Sequence, residues 1–181
     1  ITAWEPVVKG TVVLVLGSAG EHETEMKAIL YDSGFEARFP KPVEEEEKNL
    51  ADIITEEEAR ERLDFRKTTT FTIDPADAKD FDDALSARDL GDGTWEIGVH
   101  IADVSHYVKE DTLLDTEALR RATSVYLVDR TIPMLPEILS NHICSLIPKK
   151  DRLTFSAIFV IASDGSIQKE WFGKSIIHSQ R

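Results

Sequence analysis

Two apolar, alternating runs at residues 153–162 and 167–177 flank the dipeptide Asp164-Gly165 near the end of the chain. Asp-Gly takes up the left-handed turn conformations that match the twist of two antiparallel strands, so this stretch is constrained to a β-hairpin. A third strand is expected where Trp95, Ile97, Val99 and Ile101 alternate with Glu96, Gly98, His100 and Ala102. The apolar set is read as facing the core. Between these strands, Asp111 is expected to cap a helix running through Leu114, Ala118 and Arg121. A loop holding Pro133 and Pro136 then leads into a short segment at residues 138–146.

The first third of the chain reads differently. Residues 10–16 and 26–31 are apolar and β-branched around a polar turn at 17–23, which predicts a hairpin. After Pro40-Lys41-Pro42, the residues Val43, Glu47, Leu50 and Ile54 recur at helical spacing, with Pro42 suited to a first helical position. Thr55 and Glu58 form a capping box for a second short helix whose inward side would carry Ala59 and Leu63. The glutamate runs at 44–47 and 56–58 are then exposed helix faces. A Thr-rich, β-prone run at 68–73 opens a new domain, and the fold class is α+β.

Length and charge bound the function. With 181 residues and 41% hydrophobic content the chain can build one good core. A net charge of -13 argues against a broadly nucleic-acid-attracting surface, which draws on clustered Lys and Arg. The single cysteine, Cys144, rules out an internal disulfide and fits a reducing compartment, hence a cytoplasmic expectation. No apolar run reaches the roughly 18 to 20 residues of a membrane helix. Ile1 stands where a start methionine would, and the opening residues read as part of a longer protein.

The chemistry concentrates in Thr72-Ile73-Asp74-Pro75-Ala76-Asp77-Ala78-Lys79-Asp80-Phe81-Asp82-Asp83-Ala84-Leu85. Two ionised carboxylates about 4 Å apart repel by roughly 4 kcal/mol at an effective dielectric near 20, so several converge only if protons or a divalent cation neutralise them. Magnesium takes oxygen ligands and suits such a set. Ile73, Phe81, Ala84 and Leu85, interleaved with the acids, are expected to anchor the backbone to a core. An EF-hand is excluded, because Ala76, Ala78 and Lys79 stand where its acids and glycine belong. A phosphatase of the Asp-x-Asp kind is excluded too, since Ala78-Lys79 is no buried strand before Asp80. On spacing alone, a cation site and an acidic surface turn both remain open.

The same run, from Phe71 to Leu85, resembles the opening catalytic motif of the RNase II/RNase R exoribonucleases. Gly98-Val99-His100-Ile101-Ala102-Asp103-Val104-Ser105-His106-Tyr107-Val108 is similar to the family's next strand. Arg121-Ala122-Thr123-Ser124-Val125-Tyr126-Leu127, Ile132-Pro133-Met134-Leu135-Pro136-Glu137-Ile138-Leu139-Ser140-Asn141 and Cys144-Ser145-Leu146 continue it in order. The resemblance implies three parts: residues 1–40 as the end of an OB-like cold-shock domain, 41–67 as an acidic helical linker, and 68–181 as the N-terminal part of an RNB catalytic domain. It implies a processive hydrolase that degrades single-stranded RNA from the 3′ end to nucleoside 5′-monophosphates with magnesium, in a two-metal arrangement that manganese could also fill. Asp74, Asp80, Asp82 and Asp83 fall on the family's metal positions, with Asp82 also holding or activating the catalytic metal or its water. Asp77 matches no catalytic place. Tyr126 falls on the aromatic position that stacks near the RNA 3′ end. The family's catalytic arginine and its S1 domain lie past Arg181, so the 181 residues alone are expected to show little nuclease activity. An apolar surface left open to the remaining chain or to self-association is expected as well.

A catalytically dead RNA-binding or regulatory relative is the competing function, and the intact aspartate set speaks against it. An unrelated metal-dependent phosphotransferase is disfavoured by the two later motifs. His100 and His106 read as packed or hydrogen-bonded rather than metal-ligating, and Cys144 as a buried structural thiol. Trp95 and Trp171 read as core or sheet-surface aromatics. Arg120-Arg121 and Lys149-Lys150-Arg152 read as ordinary surface rather than phosphate contacts.

Overall fold

The computed structural model describes residues 10–180, so Ile1 and the rest of the first nine residues lie outside the described part. The chain divides into two compact units, residues 1–38 and 39–181. In the first, α1 (His22–Asp32) occupies the place expected for the second strand of a hairpin, and residues 10–16 form no strand. The reason is local. Glu23, Glu25, Met26, Lys27, Ala28 and Leu30 are all strong helix formers, and Lys27 pairs with Glu23 one turn earlier at 3.1 Å. Apolar residues at 26, 28, 29 and 30 mimic a strand only if this propensity is ignored.

The second unit opens on α2 (Lys41–Glu47), where Pro42 sits in the first turn and Val43 is buried. The expected helical spacing out to Ile54 is not realised, and α2 ends at Glu47. The capping box forms as expected: the Thr55 hydroxyl accepts from the Glu58 N–H at 3.2 Å, and Glu58 accepts from the Thr55 N–H at 2.8 Å. The helix it starts, α3 (Glu56–Arg60), is a little over one turn long. Leu63 is not on its inner side. It opens β1 (Leu63–Asp64) and is exposed, so the sheet begins inside the stretch expected as linker.

After β2 (Thr70–Phe71), β3 (Asp83–Asp89) and β4 (Thr94–Ala102), two helices follow, α4 (Val104–Tyr107) and α5 (Leu113–Arg121). The cap of α5 is Thr112, whose hydroxyl accepts from the Asp115 N–H at 3.2 Å, and not Asp111. A two-stranded ribbon, β5 (Val125–Tyr126) and β6 (Thr131–Ile132), precedes a π-helix at Ile138–Ile143. The long hairpin closes the unit as β7 (Asp151–Ala162) and β8 (Ile167–His178). Gly165 sits at φ +84° in its turn, the conformation that Asp-Gly supplies. The six-stranded sheet has the order β1-β8-β7-β4-β3-β2, antiparallel except where β1 runs parallel to β8.

The faces of β4 are the reverse of the expectation. Trp95 and Ile101 are nearly half exposed, whereas His100 on the opposite side is fully buried. Register places Trp95, Ile97, Val99 and Ile101 beside Ile161, Phe159, Ala157 and Phe155 on one open, apolar face. The covered face is polar and satisfied internally: the His100 ring lies between Ser86 Oγ at 2.8 Å and Ser156 Oγ at 2.6 Å. Gly98 belongs to that face for lack of room. A Cβ there would collide with Ser86 Oγ and lie 2.7 Å from His100 Nε2. The apolar core forms around Leu114, Leu135, Leu139, Leu146, Ile158 and Ile177.

Candidate active site

Between β2 and β3 the chain runs through residues 72–82 without regular structure, and this loop carries the aspartates. Its far end is tied down. Ala84 is buried and Phe81 packs against the core, as expected, while Leu85 is half-buried. The Asp82 carbonyl accepts from the Ala102 N–H at 2.9 Å, and the Phe81 carbonyl accepts from the Leu146 N–H at 2.9 Å. Ile73, expected as a further anchor, is largely exposed. The near end is therefore held by backbone turns, such as Ala78 N–H to the Pro75 carbonyl at 3.0 Å.

The loop forms one wall of a cleft of about 780 Å³. Asp74, Asp80 and Asp82 line it, together with Asp77, which matched no catalytic place in the sequence. Asp83, the fourth expected ligand, opens β3 and does not line the cleft. It still acts on it. Crowding by the surrounding protein, then the charges of Asp80, Asp83 and Asp74, raise the pKa of Asp82 above the ordinary carboxylate range. The four acids thus share one electrostatic neighbourhood. Among the described residues, however, no three acids, histidines or cysteines already stand as a ready-made cation cage.

The facing wall comes from elements far along the chain. The β5–β6 ribbon contributes Ser124, Tyr126, Arg130 and Thr131, and the π-helix contributes Ser140 and Asn141. Tyr126 is 71% exposed, so its ring is open to contact from solvent. Isolated π-helical turns are uncommon and frequent at functional sites. Lys79 and Arg130 are the cations in the lining, against Asp74, Asp77, Asp80, Asp82 and Glu137. Arg130 also pairs with Asp129 at 2.7 Å. Lys79 sits in the acidic loop itself, next to Asp80, whereas no local pattern marks Arg130 or Asn141 as cleft residues, because the tertiary fold alone brings them to the acids.

The other charged candidates are structural. Arg121 is buried, bonded to Glu117 at 2.8 Å and stacked 3.8 Å over the Phe39 ring. Arg152 is buried, paired with Asp52 at 2.8 Å. Neither is the surface residue expected. His106 Nδ1 faces the Arg62 guanidinium at 3.4 Å, which can only donate, so Nδ1 accepts and Nε2–H points to Glu58 at 3.1 Å. Cys144 is buried, and burial pushes its thiol up to about 12.

A match to the RNB domain spans residues 62–181. The chain belongs to the RNB-domain family. It is 49% identical, over 99% of its length, to DIS3-like exonuclease 2 of Xenopus tropicalis, of which it spans 22%. The structure superposes with a TM-score of 0.83 and 31% identity on Mycoplasma genitalium RNase R in complex with double-stranded RNA, covering 91% of this chain and 29% of that one. It also matches yeast Ssd1, a pseudonuclease, with a TM-score of 0.74 and 25% identity, over 92% of this chain and 21% of that one. The RNB match starts at Arg62, one residue before β1, in keeping with a sheet that begins earlier than residue 68. Among the described residues no helix is long and apolar enough to cross a membrane.

Proposed function

We propose that these residues form the acidic half of the active site of a hydrolytic exoribonuclease. It would degrade single-stranded RNA from the 3′ end to nucleoside 5′-monophosphates, with magnesium as its metal. The observation that carries this reading is the convergence of Asp74, Asp80 and Asp82 on one cleft whose far wall bears Tyr126. The donors fit the metal. All are carboxylate oxygens, and Asp82 holds its charge at a cost that a nearby cation would offset. Asp74, Asp80 and Asp82 would hold the ion, with Asp83 adding charge from the strand end. When bound, a divalent ion polarises the phosphodiester and lowers the pKa of a coordinated water.

The chain's own groups do the rest. Tyr126 offers a ring on which a base or ribose can stack, a contact worth about 1 to 3 kcal/mol and indifferent to sequence. Lys79 and Arg130 supply positive charge where the phosphate backbone would pass. Two cations among five acids leave the cleft hostile to phosphate, so the 181 residues alone are expected to turn over little RNA. In the full-length protein, Asp82→Asn should lower hydrolysis of a single-stranded oligoribonucleotide more than about a thousandfold, several kcal/mol of barrier. RNA affinity should hold or rise, because one repelling charge is gone. Hydrolysis at the parental rate by that variant would overturn the role given to Asp82.

The match to a pseudonuclease favours a second reading, a catalytically dead RNA binder. Calorimetry separates the two. The dead relative takes up RNA equally with magnesium or with chelator, whereas the nuclease reading requires magnesium binding that Asp82→Asn weakens.

A further inference from the structure

Ser145 lies 66 residues beyond Lys79 in sequence, is almost fully buried, and plays no part in the cleft lining. Its hydroxyl nevertheless straddles the acidic loop. It donates to the Lys79 carbonyl at 2.7 Å and accepts from the Phe81 N–H at 3.1 Å, so it bonds the backbone on both sides of Asp80. The next residue continues the clamp, with Leu146 N–H donating to the Phe81 carbonyl at 2.9 Å. Ser145 is itself fixed from behind. Arg152 Nε donates to the Ser145 carbonyl at 2.8 Å, and the buried Arg152 guanidinium is anchored on Asp52 at 2.8 Å.

We propose that Ser145 is a positioning residue for the acidic cleft, setting how tightly Asp80 and Asp82 hold a divalent cation by fixing the backbone on which both are mounted. The inference rests on the cation-binding reading of the cleft. The chemistry requires a hydroxyl, the smallest side chain that donates and accepts at once. A loop of like charges gains nothing by staying ordered in the absence of a cation, so an external clamp has to hold it in the presenting conformation. Without the clamp, the Phe81 N–H and the Lys79 carbonyl lose their partner, and the carboxylates must be gathered at the moment of binding. Groups that orient ligands in this way typically change metal affinity by about 10- to 100-fold.

The test uses Ser145→Ala and Ser145→Thr in the full-length protein, with three readouts. Hydrogen exchange at the Phe81 amide in chelator should speed up at least about tenfold in Ser145→Ala and return toward parental in Ser145→Thr, which keeps the hydroxyl. Calorimetry with magnesium alone should show about tenfold weaker binding for Ser145→Ala. Hydrolysis should need about tenfold more magnesium for half-maximal rate, while the rate at saturating magnesium stays near parental. A merely destabilised fold would lower the maximal rate and leave that midpoint in place. If Ser145→Ala fails to fold, Ser145→Cys, with a similar shape and a weaker donor, reads out the same shifts. Parental Phe81 exchange and parental magnesium affinity in these variants would sink the inference alone. Absence of magnesium binding to the parental cleft would sink the reading beneath it as well.

Discussion

Two regions of this molecule gather polar side chains, and they do so in opposite ways. On the covered face of the sheet, Ser86, His100, Ser156, Thr154 and Ser175 bond to one another, Thr154 to Ser175 at 2.6 Å, and Arg62 meets Asp103 at 2.7 Å. In the cleft, acids face acids, and Asp82 carries its charge against the charges of Asp80, Asp83 and Asp74. The first region is polar and complementary, so it specifies structure. The second is polar and frustrated, and frustration that folding tolerates points to a ligand. Burial differs too, since the sheet-face groups are buried whereas Asp74 and Asp82 are exposed, yet solvent alone does not relieve Asp82, which still feels its acidic neighbours. The difference is whether each group finds its opposite within the chain.

The comparison breaks hardest at Arg62. Its guanidinium pairs with Asp103 and donates to the carbonyls of Thr154 and Ser175 at 3.3 and 3.4 Å. Burial would raise the pKa of Asp103, yet hydrogen bonds from Arg62 and Ser105 bring it below the usual carboxylate range. Arg62→Ala takes away that carboxylate's close ion-pair partner and leaves it the Ser105 hydroxyl at 3.0 Å and Lys174 at 3.7 Å. Urea unfolding should show a loss of about 3 to 5 kcal/mol. A loss below about 1 kcal/mol would mean that the covered face is not the complementary region described. Arg62→Met/Asp103→Leu, which removes both charges together, should recover most of the loss.

His100 sharpens the comparison through pH. Burial lowers its pKa from the ordinary 6.5 to about 4, so the folded chain holds it neutral between two serines. A base with a depressed folded pKa contributes stability above its unfolded value, and that stability is lost as pH falls. Here the loss runs from about pH 6.5 toward pH 4 and amounts to roughly 3 kcal/mol. His100→Gln lacks the titration. Its unfolding free energy should therefore fall less steeply than the parental one over that window, by about that amount. Parallel pH profiles would show that the ring is solvated or already charged.

The sequence made some of this legible and not the rest, and the division follows the range of the interactions. The Asp164-Gly165 hairpin and the Thr55–Glu58 capping box were readable because turn and cap chemistry act over a few residues. The strand at 94–102 was readable by its period, but its faces were not. Which face is covered depends on whether Ser86 and Ser156, on other strands, can satisfy His100. The apolar run at 26–31 reads as a strand beside a polar turn, but the helix propensity of the residues around it prevails and the segment folds into α1. The aspartates announced themselves by type and by resemblance. Their division between cleft and strand end, and the serine that clamps their loop, depend on contacts across 64 to 66 residues. No local pattern records those contacts.

The smallest effect is the most discriminating, because its sign is opposite to that of every substitution on the covered face. The pKa of Asp82 is raised in the folded chain, first by crowding and then by its acidic neighbours. A carboxyl raised in this way favours folding at low pH, below its unfolded value, and that contribution is lost as pH rises through the folded value. Near neutral pH and without divalent ions, Asp82→Asn should therefore be more stable than the parent. The gain is about 0.5 kcal/mol, kept small because solvent reaches the cleft. The difference should close below about pH 4, where the unfolded carboxyl also takes its proton. Saturating magnesium should reverse the order, since an ion that binds only the folded parent stabilises it by mass action and has less to hold in the variant. Thermal melts in chelator and in magnesium read both signs. If Asp82→Asn melts below the parent in chelator, the cleft is not a site of uncompensated charge, and the contrast with the sheet face fails.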